Sequence, residues 1–237
     1  MKWQVNKMIK SRCGIICDTQ KCKEAFGVDC KGCVNIEKPF WGDSCPVKSC
    51  CESKSYYHCG QFPKFPCSLL NEFAYDKEQG DDGKRIEVCR IWSDYPDINV
   101  FEINIDDVIK TLEKEKSIII ATCADNRVTI RTMSHINDGL TVYFQTGKDY
   151  LKCRQIGINP FVAITAGGYD MEGKATLLNH PLDKENEFFI KLFEAKHFEY
   201  KNVWSKKPEE IVVKVEISLV KQWRYIDKKP YLAIGKY

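Results

Sequence analysis

The chain has 237 residues and a formal net charge of +3, and 13 of its residues are cysteines. No apolar stretch reaches the about 20 residues of a membrane span and no signal-peptide pattern opens the chain, so we expect a cytoplasmic protein without a membrane partner. Residues 1–70 hold eleven basic and six acidic residues but no Lys/Arg run, which disfavours nucleic acid as a partner.

Ten cysteines lie in the first quarter of the chain, and we predict that they ligate metal. They are Cys13, Cys17, Cys22, Cys30, Cys33, Cys45, Cys50, Cys51, Cys59 and Cys67. A domain of about 70 residues, interrupted here by many Gly and Pro, buries too little surface to be comfortably stable alone. Cytosolic thiols stay reduced, so dense cysteine there indicates metal rather than a disulfide scaffold.

The spacing of these cysteines leaves the identity of the metal open. Ten thiols could supply two four-ligand sites with two left over. Closed zinc sites usually combine two C-x-x-C pairs, and only Cys30–Cys33 has that spacing. Iron–sulfur clusters accept four thiolates at looser spacings, but the repeated two-residue gaps of bacterial ferredoxins are absent. We expect His58 to be solvated beside a ligand rather than a ligand itself.

Four cysteine motifs, taken in order, resemble an uncharacterised cysteine-rich domain family of anaerobic bacteria and archaea. The motifs are Cys13-Gly14-x-x-Cys17, Cys30-x-x-Cys33, Cys50-Cys51 and a closing segment from Cys59-Gly60 to Phe65-Pro66-Cys67. The resemblance covers residues 10–93. It implies an anaerobic setting, which favours iron–sulfur over zinc.

The remainder of the chain reads as a second domain. Tyr95-Pro96-Asp97 interrupts the pattern after a short helix or strand at 85–92, so we place a metal-binding domain at 1–94 and a second domain at 97–237. Cys89 follows no ligand spacing, and we expect it to pack as a small apolar residue.

Hydrophobic patterning predicts a mainly β second domain with inserted helices. Helices are predicted from Asn104, from Gly147 and from Pro181. Strands are predicted at 117–123, 127–136, 140–146, 159–166, 171–178, 211–219 and 221–226. A turn at 137–139 would make 140–146 the hairpin partner of 127–136. This order is typical of a small antiparallel barrel.

Two positively charged regions would meet at one end of that hairpin. Arg131 lies on one strand, and Thr146, Gly147, Lys148 and Lys152 lie at the next strand-to-helix junction. An Arg fork, a hydroxyl and the amides of a helix N-terminus all suit a phosphate group. The residues therefore predict a phosphate pocket, although basic side chains at such places are often only solvated.

The order of elements resembles the pyridoxamine phosphate oxidase-like flavin-binding split barrels. The shared features over residues 103–226 are the Arg-bearing strand, the turn, Tyr-Phe-Gln-Thr at 143–146, a Lys six residues after the Thr, and Asn-Pro at 159–160. The branch that it most resembles contains the small reductases associated with nitroimidazole resistance.

This resemblance implies which residues hold FMN. Arg131 and Lys152, helped by Thr146, would bind the phosphate. Leu151 stands where a second Arg or Lys often lies, and Lys148 would compensate. The residues implied along the ribityl chain and the ring are Thr132, Met133, Ser134 and Gln145.

The resemblance further implies an FMN-dependent oxidoreductase of a small-molecule substrate, working as a homodimer with FMN in the interface. The pyridoxal phosphate recognition motif is not evident. Without a dinucleotide fingerprint, we expect ferredoxin to donate electrons through an iron–sulfur centre in the first domain. The alternative is a non-enzymatic protein that binds flavin or haem or senses redox state, with structural zinc. No catalytic residue is predicted.

Overall fold

The computed structural model describes residues 9–39, 41–197 and 207–237, and they form two compact units. The cysteine-rich unit extends to Glu102 and also includes Trp223–Lys236, whereas the sheet unit comprises Ile103–Gln222 together with Tyr237. The chain therefore divides a few residues later than the sequence indicates, and its last strand returns to the first unit.

The cysteine-rich unit consists of short elements joined by loops. They are β1 (Ile9–Lys10), β2 (Ile16–Cys17), α1 (Thr19–Phe26), α2 (Pro46–Ser53), α3 (Ser68–Ala74), α4 (Lys84–Asp94) and β3 (Asn99–Glu102). Strands β1 and β2 pair antiparallel. Cys89 on α4 is fully buried, which confirms that it packs as a small apolar residue.

Two Cys-Gly turns pack tightly on α4. A Cβ atom added to Gly14 would lie 2.0 Å from the carbonyl oxygen of Arg85, and one added to Gly60 would lie 2.3 Å from that of Cys89. Glycine is the only residue that permits so close a backbone approach, and Gly14 also has a φ of +90°. The glycine in each motif therefore fixes the preceding cysteine against this helix.

The sheet unit alternates strands and helices as the sequence predicts. Its elements are α5 (Ile105–Lys114), β4 (Ser117–Ala124), β5 (Arg127–Ser134), β6 (Ile136–Asp138), β7 (Thr141–Gly147), α6 (Leu151–Ile158), β8 (Phe161–Ala166), β9 (Tyr169–Leu177), α7 (Glu187–Lys196) and β10 (Glu210–Ile226). The last four residues of β10 belong to the first unit. The prediction of a mainly β fold with inserted helices is confirmed.

The strands of this unit run in the order β10-β9-β8-β4-β5, with β7 paired to β10 and β6 paired to β7. All of these neighbours are antiparallel. Alternate residues of β4 and β8 face one apolar core, in which Ile118, Ile120, Val162 and Ile164 are buried. The sheet closes this core without cross-links, as burial of alternating apolar residues allows.

The predicted hairpin between 127–136 and 140–146 is wrong. Strand β5 pairs with β4, while β7 pairs with β6 and β10. The turn between β4 and β5 is Asp125–Asn126, two residues with positive φ that join the paired residues Ala124 and Arg127. His135 lies between β5 and β6, and its buried side chain bonds through Nε2 to the carbonyl oxygen of Leu112.

The end of the chain also differs from the prediction. Residues 211–226 form one strand with a register shift between Ile217 and Leu219, rather than two strands. A strand that the sequence did not reveal, β11 (Lys229–Lys236), follows a turn in which Asp227 and Lys228 have positive φ. It pairs in parallel with β3.

None of the helices in the described parts of the chain combines the length and the apolar character that crossing a bilayer requires.

Candidate functional site

A cavity of about 540 Å³ in the sheet unit brings together most of the predicted cofactor-binding residues. Six of the eight line it, namely Thr132, Met133, Ser134, Gln145, Thr146 and Lys152. The first three come from the end of β5, the next two from the end of β7, and the last from the first turn of α6. The cavity therefore lies where two strand ends meet a helix N-terminus.

Lys152 is the best-defined charge in this cavity. Its side chain is buried, its Nζ donates a hydrogen bond to Thr146 Oγ1 at 2.7 Å, and it lies 4.6 Å from the ring centre of Tyr150. Among the described residues no carboxylate forms an ion pair with it. Burial lowers the pKa of Lys152, and the nearby Arg131 guanidinium lowers it further. Such a buried cation favours an anionic ligand.

Arg131 is close to Lys152 but is not part of the cavity lining. Its Nη1 donates to Thr122 Oγ1 at 2.8 Å and to the carbonyl oxygen of Ile120, and its Nη2 bonds to Thr129. Burial lowers the pKa of Arg131. The positive charge of Arg131 thus lies near the cavity on the inner face of β5, while its N–H groups form hydrogen bonds with neighbouring protein groups.

Lys148 lies outside the cavity. Its side chain is exposed, and its backbone N–H donates to the carbonyl oxygen of Glu209 at 2.8 Å. The structure therefore does not bring Lys148 together with the other predicted residues.

Several lining residues were not predicted. They are Asp149, Tyr150, Phe193, Lys207, Glu209 and Glu210, while Gly147 of the predicted phosphate pocket also lines the cavity. The first two adjoin the predicted set in sequence, so the strand-to-helix junction could have indicated them. The others come from α7, from the first residue of β10 and from the residues just before it, and only the folded chain brings them near. Glu210 is buried, with no hydrogen-bond partner for its Oε2 among the described residues, and burial raises the pKa of its carboxyl group.

The ten predicted metal ligands line two separate cavities in the cysteine-rich unit. Cys13, Cys17, Cys22, Cys30, Cys33 and Cys45 line one, and Cys50, Cys51, Cys59 and Cys67 line the other. Within the described residues, no group of three or more His, Cys, Asp or Glu side chains is already arranged to hold a metal ion. His58 is buried and packs against Trp92, so the expectation of a solvated His58 is wrong.

The sequence profile described as pyridoxamine 5'-phosphate oxidase matches residues 93–224, more than half of the chain. The chain belongs to this family. A second profile, described as a protein of unknown function (DUF3795), matches residues 8–72. No curated protein matches the chain. The family match covers every element that lines the 540 Å³ cavity.

Solved structures of distant proteins align with about half of the chain. The general stress protein 26 of Bacillus anthracis is 14% identical and has a TM-score of 0.41, with 53% of this chain and 95% of that chain covered. The haem storage protein HutZ of Vibrio cholerae is 13% identical and has a TM-score of 0.42, with 49% of this chain and 92% of that chain covered. A NimC/NimA family protein of Clostridium acetobutylicum is 12% identical and has a TM-score of 0.40, with 55% of this chain and 94% of that chain covered. The family assignment rests on the sequence profile alone.

Proposed function

We propose that the protein is an FMN-dependent oxidoreductase that acts on a small molecule and binds FMN in the 540 Å³ cavity of the sheet unit. The observation that carries this proposal is the buried ammonium group of Lys152, which has no ion-pair partner among the described residues and faces a cavity of ligand size. Membership of the pyridoxamine 5'-phosphate oxidase family supports it.

The residues present fit the phosphate end of FMN. Lys152 and the Thr146 hydroxyl lie side by side, and the backbone amides at the start of α6 add the positive end of a helix. Arg131 contributes charge from the neighbouring strand without contacting the cavity. The phosphate would take the place of the missing carboxylate partner of Lys152. Glu209 and Glu210, which also line the cavity, disfavour a phosphate next to them.

The remaining predicted residues suit the less charged parts of the cofactor. Thr132, Met133, Ser134 and Gln145 offer two hydroxyls, a thioether and an amide along the strand ends. They would orient the ribityl chain and one edge of the ring and exclude water from it. Bound FMN would supply the hydride or single-electron transfer.

No residue of the chain is assigned to proton transfer. His135, the histidine next to the predicted flavin residues, is fully buried and does not line the cavity. Its Nε2 is 3.1 Å from Lys196 Nζ and 3.0 Å from the carbonyl oxygen of Leu112. It lies between β5 and β6 instead.

Electrons would reach the flavin through an iron–sulfur centre in the cysteine-rich unit, with ferredoxin as the donor. The support is the gathering of ten cysteines around two cavities, which suits thiolate-ligated clusters. The competing function is a non-enzymatic flavin- or haem-binding protein with structural zinc.

Ferredoxin that is reduced under anaerobic conditions should bleach the bound flavin faster than NADPH does. Bleaching by NADPH alone would contradict the relay.

We also propose a homodimer, formed through the outer face of β5, β4 and β8. Among the described strands, β5 ends the sheet order, and this face carries no charged residue. Its members are Ile119, Ala121, Cys123, Val128, Ile130, Thr132, Phe161, Ala163 and Thr165. Val128, Ile130 and Phe161 are each more than 65% exposed, which is unusual for a contiguous apolar face that stays in water. Thr132 lies both on this face and in the cavity, so a second copy would approach the cofactor.

Light scattering of the purified chain tests this interface. Ile130→Asp should give a monomer, whereas Thr176→Asp, on the outer face of neighbouring β9, should leave a dimer. A monomeric wild-type protein, or a dimeric Ile130→Asp variant, would contradict this interface.

A further inference from the structure

The ten predicted metal ligands of the first unit lie in two groups, each around its own cavity. Each group lines a cavity of about 210 Å³, and no residue lines both. The six-cysteine cavity takes residues from 11–48 with Phe73, Gln79 and Arg85, and the four-cysteine cavity takes residues from 47–69. A single metal centre could therefore not be shared by all ten thiols.

The volume of each cavity exceeds what a single ion needs. A water molecule occupies about 30 Å³ in the liquid, and a zinc ion held by four thiolates at about 2.3 Å leaves no free space at all. Each cavity of about 210 Å³ is lined by other side chains together with the thiols, and it has room for a cluster that contains inorganic sulfide.

Positive charge borders both cavities, and neither has an Asp or Glu in its lining. In the four-cysteine cavity, Lys54 Nζ donates to Cys50 Sγ at 3.0 Å. The six-cysteine cavity is lined by Arg12, Lys48 and Arg85, although Arg12 and Lys48 share Glu52 as a partner. A net positive wall stabilises the negative charge of thiolates.

Arg85 gives independent evidence for an anionic occupant. The residue is 2% exposed, its Nε pairs with Asp81 at 3.1 Å and its Nη2 donates to the carbonyl oxygen of Gln79. Its Nε and Nη1 are both buried without a hydrogen-bond partner in the described part of the chain, although Nε lies at ion-pair distance from Asp81. The thiol on which its charge acts is that of Cys13. A buried guanidinium N–H without an acceptor is costly, and a thiolate or sulfide in the cavity would satisfy it.

Backbone amides already point at two sulfurs of the six-cysteine cavity. The N–H of Arg12 donates to Cys33 Sγ and that of Gly32 to Cys30 Sγ, both at 3.4 Å. Hydrogen bonds to ligand sulfurs are a recurrent feature of iron–sulfur sites. Cys17 interacts electrostatically with Cys22, Cys30 and Cys33. Cys13 and Cys45 are buried members of the apolar core around Val47, Leu70 and Ile86, whereas Cys59 and Cys67 pack against this core from partly buried positions. Cys33 also interacts electrostatically with Cys13 and Cys45.

We propose that the unit holds two independent four-thiolate iron–sulfur clusters, one on Cys17, Cys22, Cys30 and Cys33 and the other on Cys50, Cys51, Cys59 and Cys67. Cys13 and Cys45 are packing residues. This inference rests on the proposed metal-binding role of the unit and is independent of the flavin.

The test is the iron and labile sulfide content of the full chain, purified without oxygen. Each of two double variants, Cys17→Ser/Cys33→Ser and Cys59→Ser/Cys67→Ser, should retain roughly half of the wild-type iron, since each cluster is held separately. Cys89→Ala, a buried thiol in the same unit that lines neither cavity, should retain all of it. If Cys89→Ala loses iron, or if either double variant retains all of it, the proposal is overturned.

A variant that keeps all eight proposed ligands shows whether iron is lost only through unfolding. Lys54→Met should lower the reduction potential of one of two electron paramagnetic resonance signals and leave the other unchanged. A single signal, or two signals that shift together, overturns the assignment of two centres. Zinc in place of iron overturns both this inference and the electron relay, whereas loss of flavin alone would count only against the proposed oxidoreductase.

Discussion

The two units stabilise their folds by different means. The core of the sheet unit is built from aliphatic and aromatic side chains such as Ile120, Val142 and Phe144, all completely buried. The core of the cysteine-rich unit is smaller, and Cys13, Cys45, Cys59 and Cys67 lie in it or against it. Burial of apolar surface is sufficient for the first kind of core, whereas we propose that the second depends on metal bound by its thiols.

The same difference separates the proposed roles of the two units. The sheet unit presents a cavity whose polar groups are held by strand ends and a helix. The thiols of the other unit surround space that a metal cluster would fill. We therefore expect occupancy to determine folding in the cysteine-rich unit and to affect mainly activity in the sheet unit.

Metal removal should produce the largest effect and the clearest contrast between the units. A strong chelator under reducing conditions should abolish hydrogen-exchange protection in α4, because thiolate-bound structural metal contributes about 10 kcal/mol or more to a small domain. Amides of β4 and β8 should keep their protection. Equal loss in both units, or none in α4, would contradict the comparison.

Acid should destabilise the sheet unit through His135. Burial, together with the charge of Lys196 beside it, lowers the pKa of His135 to about 4. The folded state thus excludes a proton that the unfolded chain binds below about pH 6.5, so stability is lost as the pH falls from about 6.5 towards 4. The loss should approach about 3 kcal/mol.

Urea denaturation at pH 7 and pH 4 measures this effect in the wild type and in His135→Gln, which cannot titrate. The wild type should lose more stability than the variant between the two pH values. Parallel losses in the two proteins would show that other groups are responsible.

Loss of the Lys152 charge should weaken FMN binding without unfolding either unit. A hydrogen bond to a charged group contributes about 1.5–3 kcal/mol, so Lys152→Met should raise the Kd for FMN about 10- to 100-fold. Lys148→Met should change it by less than about 3-fold, since this side chain lies outside the cavity. Titrations followed by flavin fluorescence measure the Kd of each variant. If Lys148→Met and Lys152→Met raise it equally, the result favours the prediction from the sequence, in which both lysines bind the phosphate, over the placement of Lys148 outside the cavity.

The smallest effect is expected at the start of α5. Asn104 Oδ1 accepts a hydrogen bond from the N–H of Asp106 at 3.1 Å, which caps the helix. Asn104→Ala should cost about 1 kcal/mol in the sheet unit, and Asn104→Asp should restore it. If alanine is as stable as asparagine by urea denaturation, the cap does not contribute.

Much of the sheet unit could be predicted because its helices and strands are indicated by residues that lie close together in the sequence. The capped helix α5, the continuous apolar strand β4 and the junction that carries Thr146 and Lys152 each follow from neighbouring residues. Six of eight predicted cofactor residues line one cavity for the same reason, since β5, β7 and α6 follow one another closely in the chain.

The errors arose at turns without glycine and where distant residues meet. The hairpin pairing failed because β5 pairs with β4 across the Asp125–Asn126 turn, where both residues have positive φ without a Gly to signal it. Strand β11 was missed because its turn at Asp227 and Lys228 lacks the Gly that usually signals positive φ. Phe193 and Glu210 join the cavity from elements more than 40 residues beyond it in sequence.

The cofactor released from the protein tests the central claim most directly. The full chain should be purified without oxygen, denatured, and its soluble chromophore identified and counted by chromatography against FMN, FAD, deazaflavin and haem standards. We predict FMN at one per chain, and a sharply reduced amount from Lys152→Met. Haem, a deazaflavin or no chromophore from a folded wild-type protein would contradict the assignment of this cavity to FMN.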